Sequence, residues 1–311
     1  MSVMRKVLLA MSTSPFLREQ ATRRTFVRKS VSAFMPGEKA EDALRAAATL
    51  KPQGINTILT RLGEGVTKLD EAERVTEHYL DVLGQVKAAG LDAQISVKPT
   101  QLGLDLDAEQ CQKNLDRICE KAARLGNVPV WIDMENSPYV DPTLKLFRKS
   151  RERYQGVGVA IQAYLYRTSK DVESLIALGP AIRIVKGAYL ESADVAYPKK
   201  ADVDESFYTL CCRLMAADAQ QSGTLLHIAT HDPALIDRLS GFIDAHKVPA
   251  SAYEFAMLYG IQRHQQLRLA GAGRRIRVLI SYGEYWYPWY MRRLAEHPAN
   301  VTFVLKNLFG G

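Results

Sequence analysis

Residues 285 to 296 read YWYPWYMRRLAE, an aromatic run that ends in two adjacent arginines, Arg292 and Arg293. Proline often occupies the first position of a helix, so Pro288 predicts a helix start with both arginines more than one turn inside it. Successive helical residues point about 100° apart, so at least one of the two should face the body of the protein. A guanidinium presents a planar fork of donors that a carboxylate accepts bidentately. The chemistry on offer is a clamp for a small carboxylate, and the bland alternative is aromatic packing with Arg292 making only an i,i+4 pair with Glu296.

A second set of polar residues stands at the ends of short apolar runs: Glu64, Lys98, Asp133, Gln162, Arg183 with Lys186, and Thr230 with His231. Lys98, Asp133 and Lys186 would also make sense as a buried ion network, and His231 as a satisfied structural histidine. Convergence of the set on one face would point instead to an anion site with acid–base partners.

The elements that must position these residues follow from hydrophobic periodicity. Candidate strands span 54–63, 93–99, 128–134, 156–165, 181–187, 225–231, 252–258 and 274–281. Amphipathic helical patterns separate them, such as LDEAERVTEHYLDVLGQVKAAG, which opens on acids and closes on glycine as helix polarity prefers. Eight such units predict an α/β fold of the (β/α)8 TIM-barrel type over residues 51–311, preceded by a helical segment over 1–50. A Rossmann domain is disfavoured, because GAGRR at 271–275 precedes the last strand and lacks the third glycine. In a barrel the active site lies at the C-terminal strand ends, where the polar set falls.

Composition is that of a globular protein with a sizeable core: 311 residues, 47% hydrophobic and 24% charged. Cys111, Cys119, Cys211 and Cys212 show no metal or disulfide spacing and read as buried small hydrophobes in a reducing cytoplasm. Much of the net charge of +7 sits near the N-terminus, where Arg5, Lys6, Arg18, Arg23, Arg24, Arg28 and Lys29 face only Glu19. A solvated amphipathic helix is the plain reading there, and attraction to anionic lipid the alternative.

Several function classes suit such a mouth. A Schiff-base aldolase would use Lys98 or Lys186 as nucleophile. A metal-dependent hydrolase has only His227 and His231 of HIATH, four residues apart along a strand and not on one helical face, and no HxH follows the first strand, so no metal is expected. A flavoenzyme would use the cations for its cofactor and the arginine pair for an acidic substrate. Nucleic acid is not expected, since the basic residues gather at a pocket rather than along a groove.

SVKPTQLG (96–103), DME (133–135), QAYLYR (162–167), RIVKGAYLE (183–191), ATHD (229–232), EFAMLYG (254–260) and YWYPWYMRRLAE follow one another as in proline dehydrogenases. From RLGE at 61–64 onward the chain resembles the short monofunctional bacterial members of that family. The resemblance implies a distorted (β/α)8 barrel holding non-covalent FAD. It also implies hydride transfer from C5 of L-proline to flavin N5, electrons passed to membrane quinone, and peripheral membrane contact. Arg292 and Arg293 would hold the substrate carboxylate, Lys98 would complete the anion site, and Glu64 would gate it through Arg292. Asp133 would orient Lys98, and Arg183 would lie near flavin N5. Met134, Gln162, Lys186, Gly187, Ala188, Thr230 and His231 match FAD-contacting positions; Tyr189 and Leu258 would pack about the substrate.

Four positions depart from the family pattern: Leu279 replaces a tyrosine that packs on the proline ring, Ser281 a proline, Ala256 a glutamine and Thr60 an aspartate. The implied chemistry is therefore better supported than the substrate, and a substituted, larger or N-alkylated cyclic amino acid is the competing expectation. Tyr282 or a neighbouring aromatic swinging inward would restore the ordinary pocket.

Overall fold

The computed structural model describes residues 8, 11, 14–23, 27, 30–63, 65–126 and 128–296; Glu64 lies outside them. Eight parallel strands close into a barrel in chain order: β1 (Asn56–Arg61), β2 (Ala93–Val97), β3 (Val130–Ile132), β4 (Val157–Gln162), β5 (Ala181–Val185), β6 (Leu225–Ala229), β7 (Tyr253–Leu258) and β8 (Ile276–Tyr282). Helices α1 (Pro15–Arg23) and α2 (Ala40–Leu50) precede the barrel. Around it run α3 (Leu69–Ala88), α4 (Ala108–Arg124), α5 (Val140–Arg151), α6 (Thr168–Ile176), α7 (Lys200–Leu214), α8 (Ala217–Gln221), α9 (Pro233–Ala245), α10 (Arg263–Gly271) and α11 (Trp286–Glu296). Among the described residues no helix is long and apolar enough to cross a membrane.

Every expected strand is present, but several are shorter than their apolar runs. The run at 156–165 leaves the sheet after Gln162. Beyond it Tyr164 N–H donates to Lys186 O, and Leu165 bridges Ala196 in antiparallel fashion. Strands buried on both faces read as continuous apolar runs, which blurs their ends. Helix α4 shows how the outer layer forms. Asp107 caps it by accepting the N–H groups of Glu109 and Gln110, and Cys111, Leu115, Ile118, Cys119 and Ala122 make the stripe that is buried. Burial pushes the Cys111 thiol up to about 12, as befits a small hydrophobe.

The helix with the arginine pair starts at Trp286, two residues before Pro288. The proline still lies within the first turn, where its missing N–H costs no helical hydrogen bond. Its aromatic residues Trp286, Tyr287, Trp289 and Tyr290 form a second apolar cluster with Leu8, Ala21, Val27, Val31 and Met35. Tyr290 Oη lies 2.5 Å from Ser30 Oγ, and Trp286 Nε1–H donates to Glu38 at 3.1 Å. The basic N-terminal segment thus spends its apolar residues on the last helix.

Alternation along paired strands sends Ser96 and Lys98 of the β2 run, Trp131 and Asp133 of the β3 run, Gln162, Arg183, His227, Glu254, Arg277, Leu279 and Ser281 to the barrel interior. Trp131 occupies the centre because β4 carries Gly158 opposite it. A Cβ there would lie 2.7 Å from the indole.

Candidate active site at the barrel mouth

Asp133, just beyond β3, is the hub. Its Oδ2 accepts from Lys98 Nζ at 3.0 Å, and its Oδ1 from Arg183 Nη2 and Ser96 Oγ, each at 2.7 Å. Burial raises the Asp133 carboxyl, but the charges of Lys98 and Arg183 outweigh it and hold the group below the usual carboxylate range. Arg183 is 3% exposed, and its Nη1 is buried without a hydrogen-bond partner. Three of the expected site residues, Lys98, Asp133 and Arg183, therefore converge on one carboxylate, from the ends of β2 and β3 and from β5.

The expected cofactor-contacting positions lie at or just beyond the C-terminal ends of β3, β4, β5 and β6. Gln162 is buried with its Oε1 unpartnered. His231 Nε2 accepts the Leu258 N–H at 2.8 Å, so the ring hydrogen of the neutral form sits on Nδ1. Thr230 Oγ1 accepts from Asp232 N–H at 3.2 Å. Gly187 has φ of +116°, and a Cβ on it would strike the Tyr164 ring at 2.4 Å, so glycine is required there by the backbone and by Tyr164 alike. Met134 is buried, and Ala188 is half-buried beside Gly187. Lys186 is ion-paired with Asp204 at 2.6 Å and Asp232 at 3.0 Å, and both carboxylates also bind Lys200. Burial raises the Asp232 carboxyl, yet the two lysines bring it down to about 2.

The arginine pair arrives from the other side. Arg292 and Arg293 are half-buried, and the Arg292 guanidinium carbon lies 5.6 Å over the ring of Tyr189, which follows β5. Leu258 and Leu279 are register partners on β7 and β8 and both are half-buried. A closed parallel barrel thus gathers, at its C-terminal rim, a carboxylate hub with two cations, a guanidinium pair on the final helix, and two apolar walls.

A family model described as proline dehydrogenase matches residues 43–306. The chain belongs to the proline dehydrogenase family. It is 35% identical to proline dehydrogenase 2 of Bacillus subtilis (strain 168) over 306 residues, 98% of this chain and 99% of that protein. To the proline dehydrogenase of Deinococcus radiodurans it is 36% identical, over 99% of this chain and 98% of that one. Among solved structures, proline utilization A (PutA) from Bdellovibrio bacteriovorus, inactivated by N-propargylglycine, aligns with a TM-score of 0.80 and 22% identity. That alignment covers 92% of this chain and 34% of the longer PutA chain, and supports the fold. As a member of the proline dehydrogenase family, the chain is an oxidoreductase.

Within this family member, the sequence reading overlooked several interior groups. Ser96 bonds both Asp133 and Arg183, and it lies two residues before Lys98, a period-2 signal that was available. Glu135 accepts from Thr100 N–H at 3.1 Å and Thr100 Oγ1 at 2.7 Å, tying the ends of β2 and β3 together. His227 and His231 of HIATH separate: His227 lies inside the barrel, its Nε2 3.0 Å from Glu254. Tyr282 does not refill the pocket. It is buried with its hydroxyl 2.8 Å from His78 Nε2 on α3, outside the barrel interior, because it sits one position out of phase with Leu279 and Ser281. The other aromatics of the final segment that are buried point into the N-terminal cluster.

Proposed function

We propose that the protein oxidises L-proline to Δ1-pyrroline-5-carboxylate with non-covalent FAD, and passes the electrons to a quinone. The reading is carried by the Asp133 hub and two orphaned groups, Arg183 Nη1 in the hub and Gln162 Oε1 at the C-terminal end of β4. One is a donor and the other an acceptor, and a flavin ring offers complementary acceptors and N–H donors along its edge, so the residues fit it. When bound, FAD supplies the two-electron acceptor. Arg292 and Arg293 bind the substrate carboxylate, and Lys98, oriented by Asp133, completes the anion site. Tyr189 and Leu258 shield the ring from water. Arg183, with its free Nη1, would help hold the cofactor and place a positive charge beside it. Lys186 and His231 would serve the cofactor's polar groups, and Met134, Gly187, Ala188 and Thr230 would line its site.

The test is the visible spectrum of the purified protein before and after anaerobic proline. Flavin bands that bleach support the reading; a colourless protein that takes up no flavin on reconstitution rejects it.

A second reading concerns the substrate. Tyr282 is tied to His78, Leu279 stands half-buried beside Leu258, and Ser281 Oγ is buried with no partner in register with Thr60. These features, with Ala256 buried on the neighbouring strand, support a ring pocket suited to a substituted, larger or N-alkylated cyclic amino acid. The measurement is kcat/KM for proline against such analogues in the wild type and in Leu279→Tyr. If proline ranks first in both, the second reading is rejected.

A further inference from the structure

We infer that Trp131 and His227 are positioning residues, forming a stacked floor that fixes the plane of the Arg183 guanidinium beneath the cofactor. This rests on the flavin reading above. The Arg183 guanidinium carbon lies 4.9 Å from the Trp131 ring centre on one side of the indole. The His227 imidazole lies 4.1 Å from that ring, inclined by 39°. All three side chains are almost wholly buried.

The floor is held in every direction. Trp131 Nε1–H donates to Gln94 at 2.6 Å, and Gly158 leaves just the space the indole fills. His227 faces Glu254 at 3.0 Å. Glu254 in turn receives Arg277 Nε at 2.9 Å and Nη2 at 3.2 Å. Arg277 Nη1 reaches Thr57 O at 3.1 Å and Asp92 Oδ1 at 2.9 Å at the opposite end of the barrel. A continuous chain of contacts thus runs from Asp92, through Arg277, Glu254, His227 and Trp131, to Arg183.

Stability alone does not call for such a chain, because apolar side chains of similar volume replace buried ion networks with little loss and often with gain. Orientation does. Arg183 Nη2 is fixed by Ser96 and Asp133, but two bonds to one nitrogen leave the guanidinium free to rotate about that edge. A flat aromatic surface against its face removes that freedom, and a desolvated cation–π contact holds it there. The unpartnered Nη1 then points in one direction. Burial brings the His227 imidazole down to about 4, so it is neutral and adds no third cation between Arg183 and Arg277.

The holoenzyme variants Trp131→Leu, Trp131→Phe and Gly158→Ala test this. Trp131→Leu is expected to keep its flavin and to lower kcat about tenfold with KM for proline within about threefold. It should also shift the oxidised-to-reduced flavin equilibrium about tenfold, about 30 mV for a two-electron couple. Trp131→Phe should recover at least half of both losses, and Gly158→Ala, which displaces the indole, should reproduce them in part. If Trp131→Leu does not fold, Gly158→Ala decides by the same two readouts. The inference is overturned if kcat and the flavin equilibrium stay within twofold of wild type, whatever happens to thermal stability. A wild type that is colourless and takes up no flavin on reconstitution would instead overturn the flavin reading.

Discussion

The guanidinium of Arg292 lies 5.6 Å over the ring of Tyr189, so the last helix and the loop after β5 meet across the mouth of the barrel. The contact explains how a charge on the terminal helix of the fold is aimed at a site built on strands β2, β3 and β5. On the proposed clamp, loss of either arginine would remove a charge-assisted contact to the substrate carboxylate worth about 1.5–3 kcal/mol. Arg292→Ala and Arg293→Ala should each weaken apparent substrate affinity about tenfold or more, with flavin retained. Steady-state KM and flavin absorbance measured together check this; unchanged affinity in both variants sinks the clamp.

Asp133→Asn should behave differently, because it removes the anion that Lys98 and Arg183 share. Their side chains are 12% and 4% exposed. Breaking a buried pair from one side costs about 3–5 kcal/mol. A fall in unfolding free energy of that order, together with reduced flavin occupancy, is expected from denaturant titration and absorbance. A variant as stable as wild type would show that the hub carries no such strain.

The pH dependence of stability has a defined sign. Burial holds the folded-state pKa of His227 at about 4, against 6.5 for the free side chain, and burial with the nearby charge of Arg61 does the same for His78. Between pH 6.5 and 4 the unfolded chain binds protons that the folded chain refuses, so stability falls as pH drops through that window and is level above it. His227 contributes on the order of 3 kcal/mol of this loss. The carboxyls of Glu254 and Asp232, both near 2 in the fold, lose their contribution lower still, as pH falls below about 4. Urea unfolding of wild type and His227→Gln from pH 4 to 8 checks the first window; equal slopes would assign it to other groups.

Docking of the last helix on the N-terminal segment should matter for substrate more than for cofactor. Trp286→Ala empties a fully buried position and should cost about 3–5 kcal/mol. Because Arg292 and Arg293 ride on the same helix, its KM should rise while flavin binding holds. Tyr290→Phe, which loses only the contact with Ser30, should cost about 1 kcal/mol. Flavin lost in step with substrate affinity would contradict this division.

The sequence by itself determined the barrel and most of its rim. Eight apolar runs between amphipathic helices leave few other ways to bury the strands, and active groups of a barrel fall at predictable strand ends. Lys98, Asp133 and Arg183 were legible as strand-end residues for that reason, whereas the bond of Arg183 to the carboxylate that Lys98 also reaches was not. Side-chain phase within the barrel was not legible, since a shift of one residue sends a side chain to the other face and continuous apolar runs hide it. Tertiary structure alone sent Tyr282 to His78 and away from the pocket, and turned the aromatic run toward the N-terminal segment. It also assembled the Asp92–Arg277–Glu254–His227 chain, in which β6, β7 and β8 supply the last three and the contact of Arg277 with Asp92, just before β2, forms only when the sheet closes. Closure brings β8 against β1, and no local pattern records which charges then face one another across the interior.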